Sequence, residues 1–195
     1  MVIGSEARTP GKDNEERSLS LNYLIIYGHY NPNSFNHALL DILTATLGLE
    51  HKIEVRDLHA LHFNPVLTGA DVEALEKGTP PPDIRVEQDL ICWADALIFV
   101  YPVWWSSMPA IVKGYIDRVL SFGFAYTVDE NGPRGLLQGK KVYIFNTTGA
   151  DEETNSEYGV FQSMHNLTDM GIFQFCGMEM AGHNYFTAVP YVTDD

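Results

Sequence analysis

Three short segments of this 195-residue chain combine residue types that a plain connecting loop does not need. The first, Gly28-His29-Tyr30-Asn31-Pro32-Asn33-Ser34-Phe35-Asn36, sets imidazole, amide and hydroxyl groups at the start of a helical pattern. A helix start offers unpaired backbone N–H groups and the positive end of the helix dipole, so this mixture suits a phosphate. It lacks the G-x-G-x-x-G fingerprint, and Asn31, Asn33 and Ser34 would serve equally as turn and cap residues. The second, Tyr101-Pro102-Val103-Trp104-Trp105-Ser106-Ser107-Met108-Pro109, places two tryptophans directly after an apolar run. A planar ligand stacked there would bury their rings, as would simple packing within the protein. The third, Asn146-Thr147-Thr148-Gly149-Ala150, supplies hydroxyls and approachable amides for the polar edge of a flat heterocycle, although a Thr-Thr-Gly turn is common.

Each segment follows a run of strand length. Leu21–Tyr27 is almost continuously apolar, the mark of a strand buried on both faces, and Asp95–Tyr101, ended by Pro102, repeats it. Lys140–Phe145 and Glu179–Phe186 read as further strands, and His51–Asp57 as a shorter one. Between them, Phe35, Ala38, Leu39, Ile42 and Leu43 recur at helical spacing behind a cap at Asn33 or Ser34. Helices are also expected at 71–76, over 83–93, from Pro109 (capped by Ser106 and Ser107) to about Leu120, and over 158–175, whereas 122–139 reads as an irregular excursion. Alternating strands and helices predict a three-layer α/β domain on a parallel sheet, spanning residues 21–195. Ligands bind such sheets beyond the carboxyl ends of the strands, where the three segments fall.

Residues 1–20 contain no apolar run and are expected to be a flexible leader rather than a signal peptide or membrane helix. At the other end, Ala188–Asp195 is too short to form the helix that would cover the last strand. Open apolar sheet costs about 25 cal/mol per Å², so a partner subunit or the leader is expected to cover it. Twenty-six acidic residues against twelve Lys and Arg give a net charge of -14, which disfavours nucleic acid and anionic membranes. Cys92 and Cys176 are expected to be buried free thiols, and neither C-x-x-C nor H-E-x-x-H occurs, so no metal is expected. The expected setting is the cytoplasm.

The segments, in order and spacing, resemble the flavodoxin-like NAD(P)H:quinone oxidoreductase family, which includes the mammalian quinone reductases and shorter bacterial relatives. The likeness runs from about Leu21 to Tyr185. It is carried by Asn33-Ser34-Phe35-Asn36-His37-Ala38, Phe63-Asn64-Pro65-Val66-Leu67, Tyr101-Pro102-Val103-Trp104-Trp105, Pro109 through Val119, Phe124-Ala125-Tyr126, Gly135 through Lys141 and Thr147-Thr148-Gly149. The resemblance implies a flavodoxin-like fold with five parallel strands in the order 2-1-3-4-5. It implies a flavin, FAD slightly favoured over FMN, with NAD(P)H as electron donor and a quinone-like acceptor in a ping-pong cycle. By it, His29, Asn33, Ser34, Phe35 and Asn36 look like the phosphate and ribityl loop. Pro102, Val103, Trp104, Trp105, Thr147, Thr148 and Gly149 look like the ring cradle. Tyr126, together with Trp105, is similar to the acceptor-pocket wall, and Tyr158 and His165 resemble a catalytic tyrosine and histidine across an altered loop at Asp151-Glu152-Glu153. Ala150 stands where relatives carry a second glycine. The family also implies a homodimer with sites at the interface.

Three readings follow: an NAD(P)H-dependent quinone reductase; an azo or nitro reductase or the regulatory subunit of a transport protein; and an electron carrier or cofactor-free binding protein. His37, His59, His62 and His183 carry no functional argument and are assigned structural or solvent roles.

Overall fold

In the computed structural model, which describes residues 20–191, the apolar runs form the strands that their composition predicts. β1 (Asn22–Tyr27) and β3 (Ala96–Pro102) lie side by side at the centre of the sheet, and every residue of β3 is buried. β2 (Lys52–Asp57) flanks β1, while β6 (Lys141–Thr147) and β7 (Glu179–Phe186) extend the sheet beyond β3. All four pairings are parallel, in the order β2-β1-β3-β6-β7. Counting those five strands alone, this is the expected 2-1-3-4-5.

Alternation along the strands divides the core in two. Leu24, Ile26, Leu97, Phe99 and Tyr101 pack against one helical layer, which includes α3 (Pro82–Trp93) and α4 (Ala110–Val119). Ile25, Tyr27, Ile98 and Val100 pack against α1 (Phe35–Leu47) on the other side. The strand order therefore reverses between β1 and β3, and the carboxyl ends of those strands face a natural ligand crevice. The short α2 (Gly69–Glu76) closes the 57–82 segment with a reciprocal capping box between Thr68 and Asp71. Arg118 on α4, buried, donates to Asp71, Asp83 and the Asn64 carbonyl, tying this segment to the sheet-covering helices. Gly114 permits that approach, since a Cβ there would lie 2.1 Å from the Pro65 carbonyl oxygen.

Four expectations need correction. Residues 122–139 contain an antiparallel hairpin, β4 (Tyr126–Asp129) with β5 (Gly132–Gly135). The helix expected over 158–175 runs from Val160 to Gln174 behind a left-handed Gly159, but only its first turn, α6 (Val160–Met164), is α-helical and the rest, His165–Gln174, is a π-helical segment; a separate helix not expected, α5 (Glu152–Glu157), precedes it. Ser106 and Ser107 do not cap α4; Pro109 occupies the cap position without a side-chain bond. Cys92 is exposed, and only Cys176 is buried. A thiol on the outer face of a helix needs no burial, and the mixed composition of α3 conceals which face Cys92 takes.

After β7 the described residues hold a 3₁₀ turn, Val189–Tyr191, and Tyr143, Phe145 and Phe186 on the α1 side of the sheet are only partly buried. The expected leader falls outside the described residues except for Ser20.

Candidate functional site

At the β1–β3 reversal the three segments converge on a cleft of about 530 Å³, within the range of small-molecule sites. His29, Ser34, Phe35 and Asn36 line one wall, Pro102 through Trp105 a second, and Thr147, Thr148 and Gly149 a third. Val189 and Pro190 complete it. The sequence reading missed these two, because nothing in Val-Pro-Tyr indicates that the chain after β7 turns back over the third segment. It is held there by Ala188 N–H donating to the Ala150 carbonyl and Val189 N–H donating to that of Thr148.

The first wall is built around the start of α1. The Ser34 hydroxyl oxygen caps the helix by accepting from His37 N–H, and the first turn contains no acidic residue. The dipole end is thus open to an anion. His29 Nδ1 accepts from Asn31 N–H at 3.1 Å, which leaves Nε2 as the ring's donor. Burial pulls the His29 imidazole below its ordinary pKa, against an upward pull from the Asn31 bond, and neighbouring His59 adds to the lowering. Asn33 does not line the cleft; it is exposed, and its N–H is bonded to Asn31 Oδ1. Asn36 lies deepest. Its Nδ2 donates to Thr147 Oγ1 at 2.8 Å, while its buried Oδ1 has no partner among the described residues.

The second wall carries backbone strain. Trp104 and Ser107 exchange both backbone bonds across a two-residue turn in which Trp105 has φ 52° and Ser106 φ 55°. Such turns favour Asn-Gly, because a side chain in the left-handed region costs roughly 1–2 kcal/mol. A tryptophan held there, 100% exposed at the cleft's lip, is an outlier of the kind that accumulates at ligand clamps. In the third wall one side chain is fully engaged. The Thr148 hydroxyl donates to the Ala150 carbonyl and accepts from Asn155 Nδ2, so its rotamer is set before any ligand arrives.

Three expected site residues lie elsewhere. Tyr126 packs against Phe122 and Phe175 and lines a separate hollow with Leu67, Val72 and Leu120. Tyr158 is exposed at the end of α5. His165 sits on the π-helical segment with Nδ1 3.1 Å from Asp169 Oδ2. Among the described residues no cluster of His, Cys, Asp and Glu is arranged to hold a metal ion, and no helix is long and apolar enough to cross a membrane.

A parallel 2-1-3-4-5 sheet with an anion-ready helix start and an aromatic lip at its switch point defines a flavodoxin-like protein. The family model described as "Flavodoxin-like fold" matches residues 22–195. An uncharacterized NAD(P)H oxidoreductase of Haemophilus influenzae is 37% identical over 177 residues, covering 89% of this chain and 87% of the relative. The human ribosyldihydronicotinamide dehydrogenase [quinone] is 34% identical, over 80% of this chain and 77% of its own length. The solved NAD(P)H:quinone oxidoreductase from Methanothermobacter marburgensis superposes with a TM-score of 0.80 at 30% identity, covering 90% of each chain. The chain belongs to the flavodoxin-like NAD(P)H:quinone oxidoreductase family, as its motifs indicated.

Proposed function

We propose that this chain is a flavin-dependent oxidoreductase that carries two electrons from NAD(P)H to a quinone-like acceptor, acting in the cytoplasm as a homodimer. The supporting observation is the mixed lining of the cleft. Unpaired amides of the α1 start and the His29 donor share it with the Trp104-Trp105 turn and the Thr147-Thr148-Gly149 loop. FAD or FMN fits this arrangement. The α1 start and His29 would hold the phosphate, and the partnerless Asn36 Oδ1 is an acceptor suited to a ribityl hydroxyl. A bound flavin would supply the hydride chemistry by which two electrons pass from NAD(P)H to the acceptor in a ping-pong cycle.

The residues' work is to bind, orient and exclude water. Thr147 and Thr148 are held by Asn36 and Asn155, so the third loop presents its backbone at a fixed height. Gly149 has open space toward the cleft, where a Cβ would meet nothing nearer than Pro190 Cγ at 4.0 Å, so a ring edge can approach its backbone. Trp104 and Trp105 supply a flat apolar surface that would shield a ring from solvent on one side. Tyr126 lies outside the cleft of its own chain, so its proposed part as a pocket wall is toward a second subunit. For Tyr158 and His165 the geometry supports no contact with a cleft ligand.

Rapid mixing tests the proposal. Flavin-loaded protein should lose its visible absorption on adding NADH or NADPH and recover it on adding a small quinone. Loss without recovery would contradict the acceptor class, and no loss with either nucleotide would contradict the donor.

A further inference from the structure

Beneath the third loop, a line of polar side chains runs from the surface to the sheet interior, and two of its members, Asp169 and His183, have no part in the family resemblance. Asn146, wholly buried on β6, donates from Nδ2 to the Tyr101 carbonyl at 2.9 Å, which orients its amide. Its Oδ1 must then face the other way, and it lies 2.8 Å from His183 Nε2 on β7. His183 Nδ1 is 2.8 Å from Asp169 Oδ1 on the π-helical segment. The second carboxylate oxygen of Asp169 meets His165, whose side chain is half exposed.

If Asp169 is the acceptor in its bond to the ring, the directions of these bonds leave one solution. A carbonyl oxygen and a carboxylate oxygen both accept, so each ring nitrogen of His183 must carry a hydrogen. Turning the Asn146 amide over would let a neutral ring accept at Nε2, but it would set two buried carbonyl oxygens against each other at Tyr101. We infer that His183 donates from both ring nitrogens, to Asn146 and to Asp169, and that it is a positioning residue, fixing the Asn146 amide and through it the Thr147-Thr148 lip of the cleft. Its link to the lip is short. Thr147 follows Asn146 directly, and Thr148 N–H donates to the Phe186 carbonyl on the strand that carries His183.

The titratable groups facing His183 are few. Asp169, with His165 beyond it, comes from the π-helical segment; Tyr185, whose ring stacks on the imidazole at 4.3 Å, comes from β7; Tyr101 comes from β3. Burial raises both tyrosines, so neither brings a charge to the ring. The π-helical register serves the arrangement: Thr168, Asp169 and Phe173 are its buried residues, and Thr168 and Phe173 stand one i→i+5 step apart.

The test is nitrogen NMR of the full chain labelled at histidine, without added flavin, at neutral to mildly alkaline pH. Both ring nitrogens of His183 should read as protonated in the wild type, which needs no variant. In Asp169→Asn, which keeps an acceptor but removes the charge, one nitrogen should lose its proton, and the Thr148 amide should exchange with solvent about tenfold faster as the strand pairing loosens. A bare ring nitrogen in the wild type would overturn the inference, as would Asp169→Asn with unchanged Thr148 exchange. The inference rests on the proposed function only in calling the lip part of a binding site. If the wild type bound no flavin while both signals appeared as stated, that proposal would fail and the assignment of His183 would stand. Asp169→Asn should also hold flavin several-fold more weakly, an effect that a role confined to folding would not produce in variant protein that remains folded.

Discussion

At Trp105 a bulky ring is combined with a backbone conformation that favours glycine, and the ring has no protein surface to cover. That combination is stable only if something else repays it, and a stacked ligand ring is the economical candidate. Trp105→Gly relieves the φ conflict, so the variant should melt no lower than the wild type while binding flavin about fivefold more weakly, in line with roughly 1 kcal/mol of aromatic contact. Calorimetric melting and equilibrium dialysis would show this, and undiminished affinity would remove Trp105 from the site. His29 yields a pH prediction. Burial lowers its folded pKa, so above the ordinary histidine value it contributes no pH dependence. As the pH falls below that value the unfolded chain takes up a proton first, and stability is lost until the folded ring protonates as well. His29→Gln should therefore lose less melting temperature than the wild type between neutral and mildly acidic pH; parallel losses would contradict it. Most cleft residues were legible in the sequence because Trp-Trp, Thr-Thr-Gly and Asn-Ser-Phe-Asn are conspicuous where a strand ends. Val189, Pro190 and the His183 relay were not, since their roles arise from chain reversal and cross-strand register, which no local spacing encodes.

Among the elements, the five parallel strands and the helices between them were readable because buried strands and amphipathic helices have different hydrophobic periods. The β4–β5 hairpin was not. Gly132-Pro133-Arg134-Gly135 has poor strand propensity, and only the turn at Glu130-Asn131, where Asn131 N–H bonds Asp129 Oδ1, marks it locally. The π-helical segment was hidden for a different reason: no local residue pattern marks its register, and its polar contact to His183 joins residues fourteen positions apart. The ion network of α4 is the clearest energetic statement at this scale. Arg118 and Asp71 are both largely buried, their side chains 5% and 10% exposed, so removing one partner strands the other. Arg118→Met should cost about 3–5 kcal/mol in urea unfolding. A loss below 1 kcal/mol would show that the segment between β2 and α3 is held by its apolar contacts instead.

For the molecule as a whole, the acidic surface, the open α1 side of the β6–β7 edge and the exposed Trp105 lip all bear on what the protein meets in solution. The expected homodimer should appear in light scattering across a dilution series as a mass near twice 21.9 kDa; a persistent monomer with full activity would refute the proposed contribution of Tyr126 to a neighbour's pocket. The fold was legible at this scale because the family motifs span most of the chain. The most direct measurement is titration of flavin-free protein with FMN and with FAD, followed by quenching of tryptophan fluorescence. Saturable quenching with at least one of them, at one flavin per chain and diminished in Trp105→Gly, is the predicted result. Folded protein whose fluorescence neither flavin changes would contradict the account at its centre.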